Sequence, residues 1–309
     1  MKKLIRILTI IVAVITHFSC IKTPVNPPTG GAPLDTAYYS GTGNFEYTPL
    51  GNWSEKNMNV FYHIPENATT ESPILFLFHG NARDAESARD QLINKANDLN
   101  VVLIAPEFSK DDFPTNDYHL GHLFNNGENP SASTLHPSEE WTYSIVEPLF
   151  DYWVTSIGSS QLVFDAFGHS AGGQFVHRMA LFVPSMKYSR LCAAASGWYT
   201  FPDTAVSFPY GLGQTPVNSN DIVDVYSRDV SIVVGSLDTD PNSAGLRNTV
   251  EAVAQGGNRL ERGQNFYNSA AASASAMNSF FNWSFYTVPN VAHNFQGNGL
   301  FAMELFYAP

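Results

Sequence analysis

The sequence predicts an α/β domain built on a mostly parallel central sheet with helices on both faces. Three observations carry that prediction. The apolar runs Ile74–Phe78, 101–106 and 162–167 have strand length, and their apolar character is continuous rather than alternating, as expected of strands covered on both sides. Stretches of helical length separate them, in the strand–helix–strand rhythm of crossover units. A Gly-X-Ser-X-Gly turn, Gly168-His169-Ser170-Ala171-Gly172, stands at the junction between such a strand and a helical stretch closed by Pro184.

The chain has 309 residues, enough for one large domain, and a hydrophobic fraction of 44% that supports a sizeable core. Residues 1–19 read as a secretory signal: Lys2, Lys3 and Arg6, then an apolar core over 7–15 too short to span a bilayer. Ser19-Cys20 after that core resembles a bacterial lipoprotein signal, in which Cys20 becomes the lipid-bearing first residue. His17 and Phe18 depart from the usual box, and ordinary secretory cleavage is the alternative. Residues 20–34, with Pro24, Pro27, Pro28 and Pro33, read as a tether. Residues 35–309 read as a single domain.

The formal net charge is −12, and about −15 once the three basic residues of the signal are gone. Such a surface disfavours nucleic acid and repels anionic lipid, so membrane attachment would come from a covalent anchor alone. With Cys20 lipidated, Cys192 has no partner for a disulfide. Its apolar setting, Leu191-Cys192-Ala193, reads as a buried inert thiol.

In chain order, 58–64 is a strand candidate paired with 45–48 as an opening hairpin. Ile74–Phe78 is followed by His79-Gly80-Asn81-Ala82-Arg83, a helix over 85–99 and a strand over 101–106. The segment 107–137 is long and polar, the kind of connection that is functional or mobile. A helix is predicted over 138–157 with Ser138 as its cap, then the turn strand and its helix. Strands follow at 192–196 and 232–235. Residues 244–281 are mostly helical with a break at Gly256-Gly257, Trp283–Val288 is the last central strand, and 300–307 a closing helix.

Serine is a weak nucleophile without a base in reach and an acid to orient that base. A serine on so sharp a strand-to-helix turn would have an exposed hydroxyl, next to the first amides of the helix, and the flanking glycines remove side chains that would collide there. Two histidines lie downstream of Ser170. His177 falls two turns along the helix, whereas His293 falls just after the last strand, the position a base requires. Asp238, just past the strand at 232–235, is the first choice for the acid. Asp203 is the alternative one strand earlier, and Asp240, before Pro241, reads as turn chemistry. The oxyanion donors expected are the Ala171 amide and a second amide from the loop after Ile74–Phe78, Asn81 first and Ala82 next. Arg83 reads as a salt-bridge partner of Asp84 or Glu107. Trp198 and Tyr199 follow a strand on the same sheet edge as Ser170, where they would either line a substrate pocket or pack beneath a loop. His119-X-X-His122, with Asp111, Asp112 and Asp117 upstream, lacks a helix to bring both rings to one face, so no metal is inferred.

His79-Gly80-X-X-Arg83, Gly168-His169-Ser170-Ala171-Gly172-Gly173, Gly235-X-X-Asp238 and the late His293 resemble the α/β-hydrolase superfamily, over nearly everything from Asn44 onward. Residues 196–203 and 208–212 resemble a bacterial branch related to polyhydroxybutyrate depolymerases and feruloyl esterases. The resemblance implies the α/β-hydrolase fold, Ser170, Asp238 and His293 as nucleophile, acid and base, and no cofactor. The expected function is a secreted or lipid-anchored serine hydrolase acting on small-molecule or polysaccharide-linked carboxylic esters, such as acyl or feruloyl groups on polysaccharide. The alternatives are a serine exopeptidase or amidase, and a non-catalytic surface lipoprotein on the same fold.

Overall fold

The run Ile74–Phe78 shows why the sheet is central. All five residues are buried, and they alternate between two cores: Ile74, Phe76 and Phe78 enter one, Leu75 and Leu77 the other. A strand with apolar side chains on both faces needs cover on both, at roughly 1.5–3 kcal/mol for each large side chain removed from water.

The computed structural model describes residues 31–308 apart from Thr36. The predicted signal (1–19), Cys20 and most of the predicted tether lie outside the described residues. The strands are β1 (Thr42–Tyr47), β2 (Met58–His63), β3 (Ile74–Phe78), β4 (Val102–Pro106), β5 (Phe164–His169), β6 (Tyr188–Ala194), β7 (Asp229–Gly235) and β8 (Trp283–Val288). They form one sheet in the order β1-β2-β4-β3-β5-β6-β7-β8. β1, β2 and β4 pair antiparallel to one another in turn, and every pair from β4 across to β8 is parallel.

The helices are α1 (Ala85–Asp90), α2 (Ile93–Leu99), α3 (Thr115–Tyr118), α4 (Val146–Ile157), α5 (Ala171–Phe182), α6 (Ser219–Ser227), α7 (Val250–Ala254), α8 (Arg259–Ala276) and α9 (Phe295–Tyr307). Leu149, Phe175 and Phe266 bring α4, α5 and α8 onto one face of the sheet. Leu92 together with Ala96 of α2 and Met303 of α9 covers the other. The fold class expected from the sequence is the one observed.

Several boundaries differ, each for a local reason. The helix expected over 85–99 is two, because the chain turns at Leu92 to bury that side chain. The helix expected over 138–157 begins only at Val146. Trp141 adopts an extended backbone to bury its ring and donate its indole N–H to the His136 carbonyl at 2.9 Å, leaving short 3-10 turns before it, and Ser138 caps nothing. The closing helix starts earlier, at Phe295, where the Asn294 side chain accepts from the Gly297 amide at 2.7 Å. Packing begins ahead of Asp35: Pro33 bridges Thr69 and Leu34 is buried.

The topology fixes where a site can form. From β3 the chain moves to β4 on one side, and β5 then pairs with β3 on the other. The carboxyl ends of β3 and β5 therefore open onto a crevice at a topological switch point. The loop 79–83 and Ser170 both emerge there.

Candidate active site

Ser170 has φ 59° and ψ −111°, a conformation rarely adopted by an L-residue, at a cost of order 1–3 kcal/mol. The surroundings enforce it. A Cβ on Gly168 would lie 2.2 Å from the Gly172 carbonyl oxygen, and one on Gly172 would lie 2.0 Å from the Phe78 carbonyl oxygen. The Ser170 amide donates to the Ala194 carbonyl of β6 at 2.9 Å. The hydroxyl consequently faces a cavity of about 650 Å³ at the sheet edge.

Asp238 and His293 arrive from the loops that follow β7 and β8. Beyond β7, the Leu237 amide donates to the Val291 carbonyl at 2.8 Å, fastening the acid loop to the base loop. Gly235 permits this crossing, since a Cβ there would lie 2.2 Å from the Val291 carbonyl oxygen. His293 Nε2 then lies 3.1 Å from Ser170 Oγ, and His293 Nδ1 lies 2.8 Å from Asp238 Oδ2. Asp238 is buried, with Arg259 Nη1 3.4 Å from its other oxygen.

The competing residues are otherwise engaged. His177 is fully buried; its Nδ1 is bonded to the Gly173 carbonyl at 2.9 Å and its Nε2 accepts from the Thr200 amide at 3.1 Å. Asp203 and Asp240 each accept a backbone amide two residues on, from Ala205 and Asn242, as turn formers.

Asn81 and Ala171 border the same cavity, and neither residue's amide donates to another backbone group among the described residues. The loop carrying Asn81 is braced from below. His79 accepts the Phe108 amide at Nε2 (3.0 Å), which leaves Nδ1–H to donate to the Gly80 carbonyl (3.1 Å). Burial holds this imidazole neutral, pushing it down to about 3. The Tyr118 hydroxyl donates to the His79 carbonyl at 2.8 Å. Arg83 makes neither of the salt bridges expected of it. Its guanidinium donates to the carbonyls of Phe108 (2.6 Å) and Phe113 (2.9 Å) and lies over the Tyr118 ring, because the backbone turns at Arg83 (φ 66°) and sends the side chain inward.

Trp198 lines the cavity, lying between Arg178 (4.3 Å) and Arg247 (4.7 Å). Tyr199 does not. It is fully buried in the core, stacked on Phe266 at 4.6 Å, since consecutive side chains of this irregular segment point in opposite directions. His119 and His122 also part: His119 borders the cavity, while His122 pairs with Asp117 at 2.7 Å and stacks on His136 at 4.2 Å. Three neighbours of the triad escaped the sequence reading. His169 is buried, held neutral by that burial, and packs against the His293 ring with their centroids 4.5 Å apart. Gln174 lies one helical turn beyond Ser170. Arg259 opens α8 and was visible only as a basic residue after the Gly256-Gly257 break.

Among solved structures, this chain is similar to a poly(aspartic acid) hydrolase from Sphingomonas sp. KT-1, with 36% identity over 87% of this chain and 99% of that one, at a TM-score of 0.81. The chain is an α/β-hydrolase. A poly(3-hydroxybutyrate) depolymerase, LpqC from Bordetella parapertussis, matches at 25% identity over 87% and 90% of the two chains, with a TM-score of 0.80. FphF, a fluorophosphonate-binding serine hydrolase of Staphylococcus aureus, shares the fold at 12% identity and a TM-score of 0.55, over 90% of this chain and 100% of that one. No protein-family model and no curated protein sequence matches the chain.

Proposed function

We propose that this α/β-hydrolase cleaves carboxylic esters through an acyl-enzyme, as a secreted or lipid-anchored protein. The observation that carries the reading is the continuous chain Ser170–His293–Asp238, at 3.1 and 2.8 Å, beside two unengaged backbone amides. Ser170 Oγ attacks the substrate carbonyl while His293 Nε2 takes its proton. Asp238 fixes the Nδ1–H tautomer and stabilises the imidazolium. The Asn81 and Ala171 amides stabilise the oxyanion, each such donor being worth roughly 3 kcal/mol of barrier. His293 then protonates the leaving alcohol. In the second half-reaction it activates water against the acyl-enzyme, releasing the acid and restoring Ser170. The export signal and Cys20 support an extracellular or envelope location and a nutrient ester, with acyl or feruloyl groups on polysaccharide as the substrate class.

A second reading, an amide bond in an anionic polymer, is favoured by the cavity wall. Arg247, ion-paired with Glu128, and Arg259, beside Asp238, border the cavity, where among the described residues no Asp or Glu does, and the fully buried Arg178 behind Trp198 has no carboxylate within hydrogen-bond reach there. The similarity to a poly(aspartic acid) hydrolase points the same way.

One experiment tests both. Wild type and Ser170→Ala are labelled with a fluorescent fluorophosphonate and assayed on a short-chain nitrophenyl ester, feruloylated arabinoxylan and poly(aspartic acid). Labelling and ester turnover by wild type alone support the first reading. Turnover confined to poly(aspartic acid) replaces it with the second. A folded wild type that does none of these sinks the hydrolase reading and moves the binding-lipoprotein alternative forward.

A further inference from the structure

Arg259 holds two things at once. Its side chain is buried, 2% exposed, and so is that of its partner Asp238, 3% exposed. Nη1 lies 3.4 Å from Asp238 Oδ1, the oxygen that His293 does not use. The same nitrogen donates to Ser243 Oγ at 2.8 Å, and Nη2 donates to the Ala244 carbonyl at 3.4 Å. Ser243 and Ala244 belong to the loop that brings Gly245 and Arg247 to the cavity wall. The first turn of α8 adds a second hold on the acid, as the Leu260 amide donates to the Asp238 carbonyl at 3.3 Å.

We propose that Arg259 is a positioning residue that straps the catalytic acid to the substrate-facing loop 239–247, so that the seating of that loop and the orientation of Asp238 are set together. The proposal rests on the hydrolase reading. A carboxylate with one oxygen on His293 has a free rotation about its Cβ–Cγ bond that a second fixed partner removes. A buried guanidinium is suited to this, since it stays charged and presents several donors in a rigid plane. Its cost is that the pair must be kept whole, since a buried charge left alone is strongly unfavourable.

The remaining groups around the pair leave this role to Arg259. His169 and Ser170 face His293 from the elbow, and His169 is neutral. Tyr199 approaches from the β6 side, with burial as the main cause keeping its phenol un-ionised. Arg262, next along α8, turns away to the carbonyls of Gly197 and Gly256. Arg247 is paired with Glu128. Arg259 is thus the cation in contact with the acid, and removing it takes away a positive charge that stands against one forming on the His293 ring. Activity that needs the deprotonated base is then lost at a higher pH.

The test compares Arg259→Gln, Arg259→Lys and wild type, each checked for folding by circular dichroism. The readouts are kcat and KM for the best ester, the pH profile of kcat/KM, and the fluorophosphonate labelling rate. For Arg259→Gln the expected result is a fall in kcat and labelling rate of at least tenfold, with the acid limb moved up by half a pH unit or more. Arg259→Lys keeps a cation near Asp238 but cannot span Ser243 and Ala244 together. It is expected to hold the acid limb in place while KM rises at least fivefold. If Arg259→Gln does not fold, Arg259→Lys decides alone, and wild-type KM there overturns the strap. A folded Arg259→Gln with wild-type rate and pH limb also overturns it while leaving the triad intact. A folded wild type that neither labels nor turns over the nitrophenyl ester, the feruloylated arabinoxylan or poly(aspartic acid) overturns both the strap and the hydrolase reading.

Discussion

The two loops that flank Ser170 are held in opposite ways. The loop 79–83, which offers the Asn81 amide, is nailed down from inside by the His79 imidazole, the Tyr118 hydroxyl and the Arg83 guanidinium. The loop after β7 lies largely on the surface: Leu237 is 57% exposed and 240–242 are exposed. Its acid is fixed from the side by Arg259 and by the edge of the His293 loop. The difference matches what each must do. An oxyanion hole works because its dipoles are already aimed before charge develops, so it gains from rigidity. On the proposed reading, a loop that also forms a substrate wall has to admit ligands, and there Arg259 and the Leu260 amide hold the one residue whose position is critical.

The sharpest break in this comparison is Asp238→Asn, which keeps the volume but favours the wrong tautomer of His293. It is expected to lower kcat by about 10⁴-fold in a folded protein, read from ester turnover. On the braced side, Arg83→Met removes two hydrogen bonds to buried carbonyls. The expected result is a loss of about 10²-fold in kcat as the Asn81 amide loses its aim, together with roughly 1–3 kcal/mol of stability per unpaired carbonyl, measured by urea unfolding. Arg83→Lys is expected to recover little of either, since an ammonium cannot hold the same fork.

The brace also ties stability to pH. His79 is neutral when folded, pushed down to about 3, chiefly by burial and secondarily by Arg83, against an ordinary value of 6.5. Below 6.5 the unfolded chain takes up a proton that the folded chain refuses. Stability is therefore complete above about pH 6.5 and drains as the pH falls toward 3, by about 1.4 kcal/mol per unit for this histidine. His119, likewise pushed down to about 3, adds to the slope with the same sign. His79→Gln is expected to flatten the fall in the urea midpoint between pH 6.5 and 4 relative to wild type. An unchanged slope would show that His79 is reached by protons in the folded protein. The smallest effect is expected at Leu237→Asn on the exposed loop, within about 0.5 kcal/mol of wild type.

The sequence was most legible where chemistry and sterics leave few choices. Strands such as Ile74–Phe78 declare themselves because a sheet covered on both faces needs apolar side chains on both. The elbow declares itself because Gly168 and Gly172 stand where no Cβ fits. Asp238 and His293 could be placed because chain order leaves few candidates after Ser170. Long-range side-chain contacts left no such trace. Arg259 meets Asp238 from 21 residues away, and Arg83 reaches Phe108 and Phe113 across 25 and 30 residues. Trp198 and Tyr199 are adjacent aromatics with no period to tell inward from outward. The helix α6 did carry a cue, the reciprocal cap of Asn218 and Asp221, but its nine residues are too short for periodicity to stand out.

The tryptophan between two guanidinium groups gives the molecule an optical property of its own. The chain has five tryptophans, and Trp53, Trp141, Trp153 and Trp283 are buried away from the cavity, while Trp198 borders it. Indole emission responds to nearby charge, and an anion entering the cavity would compete with Glu128 for Arg247, which borders the cavity beside that ring. Filling of the cavity by an anion is therefore expected to change the intrinsic fluorescence of the unlabelled protein, a signal to be followed at the speed of mixing and in a variant that cannot turn over.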